Sequence, residues 1–584
     1  MFNEDENLKN IKFSKKLPTH GIGILCNYNY DSFEISGWEN FDLRRIINEK
    51  ESEWLVELDI WHLNLSNEAI KLTKWWPLSA GSRMHIWSNG TKLSFKSLFY
   101  ALAIYELKKR NPNKLIMVVG APKIVENYFI KFDLVKKNIF ICENTIFYLK
   151  IVKKFLYFLV LLALTTKNKI SKVNLLITTM NLNIENFQKT GDHFFGKIFS
   201  NLESNSDKKL AWLYSDLDLS NNKHKKLLNE INKNIYFSVN FLKLSILIKS
   251  FRTAIHVRKE FRKLMRNEFK FYIRELNLGI FEYLYINNLI INNSIFDELV
   301  HYEIWTQILK TMSPNFIVYP YEEKTMERAM HLAILDNGNK ILSIGFAHAA
   351  YSKGHLYLRG FKNKTIPKPS LIAVTGPIAK DLFIKLGYPS EILTTIGSPR
   401  YRSYIESSTT YTTRSKKILL LIGHGFELMN FSKLLTKQKG VFSEYQLSIR
   451  RYPFGWKIEQ DEAEKRLNEL EINYIIADGV LSEEINKVDI VIFDSTSAGI
   501  EAVLGGKIVV QLDLAETLES DQFNGLMIGG KFNKCKNIDD LISILNYIFL
   551  QKPDEYKRFA HDQRQICEKL FAPIDQDKLY KLLT

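Results

Sequence analysis

Two periods of apolar residues alternate along this chain. Short continuous apolar runs read as strands buried on both faces: LLIT in VNLLITTM (173–180), FIV in PNFIVYPYEEKTMERAMHLAI (314–334), ILSIGFA in KILSIGFAHAAYS (340–352), ILLLI in KKILLLIGHG (416–425) and VIF in VIFDSTSAGIEAVLGGKIVV (491–510). GIGILCNYNY, KLIMVVGAP (114–122) and KLAWLYSD (209–216) read the same way. Segments with apolar positions at helical spacing lie between them. SFKSLFYALAIYELKKRN (94–111) ends in basic residues, as a helix C-terminus prefers, and DHFFGKIFSNLES (192–204) carries a helical pattern too. Strand, helix and strand in repeated succession predict α/β architecture with parallel sheets. A lysine-rich joint near 166 and a Ser/Thr/Tyr-rich stretch at 401–415 divide the chain into 1–165, an N-terminal α/β domain, 166–410, a second α/β domain with a basic helical insertion, and 411–584, a third.

Two helical segments carry a further signal. FLYFLVLLAL (Phe155–Leu164) is strongly apolar but ten residues long, half of what a bilayer span of roughly 20 residues requires. Lysines flank it on both sides, so it reads as a buried core helix or as an interfacial helix on anionic lipid. Leu242–Glu275 is a long amphipathic pattern rich in lysine and arginine, read as a solvated helix face or as a contact for a membrane surface or an anionic glycan.

Composition narrows the partners. With 46% hydrophobic and 25% charged residues in 584, the chain is globular, and a formal charge of +16 favours anionic partners. No RNA-binding or zinc-finger pattern is present, so nucleic acid is not expected. The four cysteines are far apart and form no CxxC pair, which fits a reduced compartment. The N-terminal stretch MFNEDENLKNIKFSKK has no apolar core of a signal peptide. The expected location is cytoplasmic, with peripheral contact at the inner face of the membrane.

The chemistry gathers at strand ends. After the apolar strand 491–493 come Asp494 and the hydroxyls Ser495, Thr496 and Ser497, then a helix with Glu501 in its first turn. Ligands of doubly wound folds bind beyond the carboxyl ends of such strands, and unpaired N–H groups at a helix start favour phosphate. Simple helix capping explains the same hydroxyls. Glu501 is placed to accept bonds from a ribose. Gly423, in GHG after the first strand of the same domain, allows close backbone approach, but GHG is no GxGxxG and a dinucleotide is not indicated. Arg450 and Arg451, in SIRRYPFGW, suit a phosphate, a carboxylate sugar or a surface ion pair. In the middle domain Glu322 and His348 follow strands, and Asp192 precedes FFG, where it is either functional or a helix cap.

VDIVIFDSTSAGIEAVLGGKIVV resembles the nucleotide-sugar motif in the C-terminal domain of GT-B glycosyltransferases. From about 170 to 530 the chain is similar to large bacterial surface-carbohydrate biosynthesis proteins of O-antigen and capsule clusters. The stretches TGDHFFG, YPYEEKTMERA, IGFAHAAYS, PKPSLIAVTGPIAKDLFIKLGYP and IGSPRYRS carry this. More distantly it resembles bacterial sialyltransferases and polysialyltransferases, although Tyr452-Pro453 stands where those carry His-Pro.

The resemblance implies a GT-B-like pair of Rossmann-like doubly wound domains facing a cleft, beside the additional N-terminal α/β domain. It implies a metal-independent, inverting glycosyltransferase of surface polysaccharide with no resident cofactor. The donor would be a CMP- or UDP-linked sugar such as a CMP-linked nonulosonic acid, and the acceptor a glycan or a lipid-linked saccharide. Glu322, His348 and Asp192 would be catalytic, with Gly423, Arg450, Arg451, Ser495, Thr496, Ser497 and Glu501 on the donor. A sugar-nucleotide epimerase of the same fold and a non-catalytic assembly protein of the same pathway remain as alternatives.

Overall fold

The computed structural model describes residues 21–25, 38–40, 43–79, 95–114, 116–119, 140–165, 170–180, 191–199, 209–215, 217, 234–265, 271–273, 275–291, 294–338, 340–351, 355, 358–359, 366–406, 415–422, 428, 431–432, 434–435, 442–451, 457–494, 496–512, 523, 534–535 and 537–583. Three parallel sheets follow one another along the chain. The first is small, with β1 (Gly21–Leu25), β2 (Trp38–Asn40) and β3 (Ile116–Val119) in the order β2-β1-β3. With it go the helices α1 (Arg44–Leu72), α2 (Phe95–Arg110) and α3 (Phe140–Leu164).

The second sheet contains β4 (Leu175–Thr179), β5 (Leu210–Tyr214) and β6 (Ile235–Phe237). An insertion follows: α4 (Leu244–Leu264), the hairpin of β7 (Tyr272–Ile273) and β8 (Leu276–Asn277), α5 (Gly279–Ile291) and α6 (Ser294–Met312). The sheet then resumes with β9 (Phe316–Pro320), α7 (Thr325–Asp336), β10 (Leu342–Ala347), β11 (Leu371–Val374), α8 (Pro377–Lys385) and β12 (Leu393–Thr395). Its spatial order is β12-β11-β10-β9-β4-β5-β6, every neighbour parallel. Counted along the chain this is the 3-2-1-4-5-6 order of a Rossmann sheet with a seventh strand added, and it reverses direction between β4 and β9.

A short helix α9 (Arg402–Glu406) leads towards the third sheet, which holds β13 (Lys417–Leu421), β14 (Gln446–Arg450), α10 (Lys457–Glu469), β15 (Tyr474–Ile476), α11 (Leu481–Asn486), β16 (Ile490–Phe493), α12 (Ala498–Leu504), β17 (Ile508–Leu512) and β18 (Lys534–Cys535). Its order, β15-β14-β13-β16-β17-β18, is again 3-2-1-4-5-6, with the reversal between β13 and β16. Helices cover both faces, so the central strands are buried at every residue and read as unbroken apolar runs.

Three helices close the chain: α13 (Ile538–Leu550), α14 (Pro553–Glu568) and α15 (Gln576–Leu582). Residues 569–575 leave the third domain and return to the second. Ala572 N–H donates to Thr375 O at 2.8 Å, Thr375 Oγ1 donates to Leu570 O at 2.9 Å, Ser398 N–H to Ala572 O at 2.9 Å and Asp575 N–H to Ile396 O at 2.7 Å. Two glycines make room for this contact. A Cβ on Gly376 would lie 2.5 Å from Lys569 O, and one on Gly397, at φ +96°, would lie 2.1 Å from Pro573 O. These are the glycines of TGPIAK and IGSPR.

Three segments differ from their sequence pattern, one of them Leu242–Glu275, where α4 ends at Leu264 and the β7–β8 hairpin begins at Tyr272 instead of a continued helix. Residues 191–199 form tight turns rather than a helix. Gly191 takes φ +86°, and Asp192 and Gly196 exchange backbone hydrogen bonds at 2.8 and 3.0 Å. The apolar residues of the segment serve packing instead: the Phe195 and Phe199 rings meet Trp212 of β5. Phe155–Leu164 is the end of the 25-residue helix α3, which buries only one face. Among the described residues no helix is long and apolar enough to cross a membrane.

Candidate functional site

Because the second sheet is parallel, β4, β9 and β10 deliver their following residues to one edge. Just past β9, Glu322 Oε2 pairs with Lys324 Nζ, and its Oε1 lies 3.4 Å from His348 Nε2, just past β10. Burial works against ionising Glu322, but the His348 contact and the Lys324 charge prevail and hold its carboxyl well below the usual range. His348 is buried, with Nδ1 3.4 Å from Phe346 O and its ring edge-on to Phe194 at 4.5 Å. Both of its ring nitrogens thus face oxygen atoms.

Asp192 is brought to the same place by the loop after β4. Its Oδ2 accepts from Thr179 Oγ1 at 2.7 Å, and its Oδ1 accepts from the Phe194 and Phe195 N–H groups at 2.8 and 3.1 Å. Burial raises its pKa against those three hydrogen bonds. Both oxygens are committed, and the carboxylate shapes the turn that carries the next residue, His193. The His193 side chain is exposed, yet it feels the charges of Arg400, His348 and Glu322. Partial desolvation, followed by the Arg400 and His348 charges, lowers its pKa to about 4 against the pull of Glu322. At neutral pH it is an uncharged imidazole open to a ligand.

The third domain meets this edge through Arg400, which follows β12. Its Nη2 lies 3.5 Å from Ser497 Oγ and 3.9 Å from Glu501 Oε1, beyond the end of β16 at the reversal of the third sheet. It also feels the charge of Glu322 on its own domain. Tyr404 Oη donates to Glu501 Oε2 at 2.8 Å, and burial raises the Glu501 pKa against Arg400, the Tyr404 bond and Arg450. Thr496 Oγ1 accepts from the Ala498 N–H at 3.3 Å, a local bond at the start of α12. Ser497 makes no side-chain cap.

Arg450 Nη1 donates to Gly479 O at 2.6 Å and so anchors the loop after β15. Arg451 forms a two-pronged ion pair with Glu464 on α10. Ser495 and Gly423 lie outside the described residues. The sequence-based candidates Glu322, His348 and Asp192 thus meet on the second domain, with Ser497 and Glu501 opposite. His193, Lys324, Arg400 and Tyr404 join them without having been singled out. Three of these stand inside stretches that carry the resemblance, His193 beside Asp192 in TGDHFFG, Lys324 in YPYEEKTMERA and Arg400 in IGSPRYRS, but no spacing marked any of them.

A buried layer supports the edge. Glu323, at φ +53°, is held ionised by Arg328, whose Nη2 is 3.0 Å away, and accepts from Tyr321 Oη at 2.5 Å. Glu327 accepts the Glu322 N–H at 3.2 Å and borders a cavity of about 20 Å³ with Thr178, Thr179 and Tyr319. Burial, then the charges of Glu322 and Glu323, pushes its pKa up to about 8. Among the described residues, no group of three or more His, Cys, Asp or Glu is arranged to hold a metal ion.

No family model and no curated sequence matches the chain. Solved structures similar to it include UDP-GlcNAc 2-epimerase from Neisseria meningitidis bound to UDP-GlcNAc, at 12% identity and TM-score 0.42 over 70% of this chain and 99% of that one. MurG of Acinetobacter baumannii follows at 11% and 0.38, over 70% and 99%. The O-GlcNAc transferase of Thermobaculum terrenum stands at 9% and 0.35, over 72% and 69%. Likeness this remote bears on no activity. The two strand orders, their reversals joined through Arg400 and the returning segment at 569–575 make this an α/β protein of GT-B-like architecture, with two Rossmann-like domains and a further α/β domain before them.

Proposed function

We propose that this chain is a glycosyltransferase whose donor nucleotide sugar occupies the cleft between the second and third sheets. The observation that carries the reading is Arg400, which reaches Ser497 and Glu501 on one domain while feeling His193 and Glu322 on the other. A guanidinium fixed between two Rossmann reversals suits the phosphate of a departing nucleotide, whose growing charge needs a fixed cation. Thr496, Ser497 and Arg450 add polar groups on the donor side, and Glu501 offers an acceptor to the ribose.

In the displacement, the acceptor hydroxyl oxygen attacks the anomeric carbon and the bond from that carbon to the phosphate oxygen breaks. The electron pair leaves with the phosphate beside Arg400. The hydroxyl proton passes to neutral His193, while Glu322, ionised between His348 and Lys324, stabilises positive charge developing on the sugar ring. A single displacement of this kind inverts the anomeric centre. On the finer points, the donor is a CMP- or UDP-linked sugar, a nonulosonic acid in the CMP case. The acceptor is a glycan or lipid-linked saccharide of a surface polysaccharide, and the reaction takes place on the cytoplasmic side.

One observation favours a second reading. His348 contacts Glu322 and His193 feels the charges of both, a grouping that proton abstraction and return at a sugar carbon in an epimerase would use. Incubating the chain with candidate UDP- and CMP-sugars, with and without a saccharide acceptor, tests both. Nucleotide release that requires acceptor supports transfer. An altered sugar with its nucleotide still attached supports epimerisation. If no nucleotide raises the melting temperature and no sugar turns over, the protein is a non-catalytic member of the pathway and both enzymatic readings fall.

A further inference from the structure

The outer face of α3 is apolar where it meets solvent. Tyr148, Leu149, Val152, Leu156, Val160 and Leu164 are between 44% and 66% exposed. Five of them recur at four-residue steps, which draws one stripe roughly 24 Å long at 1.5 Å per residue. The opposite face is buried through Phe147, Ile151, Phe158 and Leu161. Phe155 and Phe158 pack on Phe296 of α6, and Lys154 pairs with Asp297, so the helix is fixed by its inner face and the stripe cannot roll inward.

Helix α4 extends this surface. The Arg258 guanidinium sits 4.1 Å over the Phe147 ring, and Phe251 meets Phe155 at 5.4 Å, so α4 runs antiparallel beside α3. That direction carries the exposed Leu244 and Ile248 towards the C-terminal end of the stripe. Among the described residues of the two helices the exposed charged side chains are cationic, with Lys150 and Lys153 on α3 and Arg252 and Lys259 on α4. The one acid of α4, Glu260, is paired with Lys263.

We propose that the α3–α4 face docks the protein on an anionic lipid bilayer, lying in the interfacial plane without crossing it. The stripe enters the boundary between headgroups and acyl chains, and the lysines and arginine meet the headgroup phosphates. Charge selects this occupant. A second copy joined about a two-fold axis would press one cationic rim against another, whereas an anionic bilayer neutralises the rim and covers the stripe together. The inference rests on this surface alone and stands or falls independently of the transferase reading.

Co-sedimentation of the full chain with phosphatidylcholine vesicles, and with vesicles containing 30% phosphatidylglycerol at about the charge density of anionic membranes, tests it. The expected result is binding to the anionic vesicles that weakens as salt rises. Leu156→Glu with Val160→Glu is expected to lower the partition coefficient by at least about tenfold. Lys150→Gln with Lys153→Gln lowers it less and flattens its salt dependence, and reads the proposal should the first variant misfold by circular dichroism. Absence of binding to anionic vesicles overturns the proposal. So does unchanged binding of both folded variants, or a lipid-free dimer in sedimentation equilibrium that Leu156→Glu with Val160→Glu dissolves.

Discussion

Tyr404 Oη lies 2.8 Å from Glu501 Oε2, and Arg400, four residues earlier, lies 3.9 Å from the other oxygen of the same carboxylate. One acid of the third domain is thereby held by two side chains of the segment leading out of the second. The pairing turns Arg400 towards Ser497 where the two sheet edges meet.

Arg400 is the first residue to change. Arg400→Ala is expected to reduce kcat/KM for donor turnover by about a hundred- to a thousand-fold, the range found when a single donor to a developing charge is removed. Arg400→Lys keeps the charge but not the planar fork, and falls between the two. The melting temperature is expected to move little, because the guanidinium's contacts at 3.5 and 3.9 Å are long. Steady-state kinetics beside thermal denaturation separates the effects.

The pH profile follows from His193. Its pKa of about 4 lies below the ordinary histidine value, so the imidazole is already neutral at pH 6. Activity that depends on it is expected to hold level from pH 7 down to about 5 and to fall as the ring protonates near 4. His193→Ala is expected to lower kcat by about a hundred- to ten-thousand-fold and to abolish that acid limb. A limb centred near 6.5 in the wild type, kept in the variant, would assign the proton transfer elsewhere.

Glu327 links the buried layer to stability. Its folded pKa is raised to about 8 from 4.5, so the unfolded chain ionises first as pH rises. The folded state loses stability from this group between about pH 4.5 and 8, and below 4.5 the group is neutral in both states. Glu327→Gln keeps an oxygen that can accept the Glu322 N–H and removes the titration. The variant is expected to match the wild type near pH 5 and to exceed it by about 1–3 kcal/mol at pH 8. Urea unfolding at the two pH values measures the difference.

Gly397 tests the C-terminal return. Gly397→Ala meets both an unfavourable φ and Pro573 O, and is expected to destabilise the fold by more than about 3 kcal/mol. Gly338, also at positive φ, has open space around its absent Cβ. Gly338→Ala is therefore the control, with a loss of about 1 kcal/mol. Chemical denaturation of the two variants separates backbone strain from collision.

The strands were legible because a strand covered on both faces can only be a short apolar run, and LLITT and IVIF are that. Parallel pairing followed from the helices between them. Sequence cannot display the order of the strands in space, so the two reversals, and the reason why Glu322, His348 and the loop at 192–193 share an edge, needed the structure. The start of DHFFGKIFSNLES misled because Phe194, Phe195, Ile198 and Phe199 have helical spacing, while the backbone exchange between Asp192 and Gly196, after Gly191 at φ +86°, closes residues 191–199 into turns. Arg400 stayed unseen because one arginine in a loop carries no pattern, and its partner Glu501 lies about a hundred residues on.

The returning C-terminal segment has a consequence for how the protein is made. Thr375 is separated from its partner Leu570 by 195 residues, which take roughly 10–40 s to translate at 5–20 residues per second. The groups of Thr375, Ile378, Ile396 and Ser398 that pair with this segment stay unmet until residues 569–575 have left the ribosome. A nascent protein stalled or cut short before residue 570 thus exposes a seam on an otherwise formed second domain, a natural landing point for chaperones and proteases.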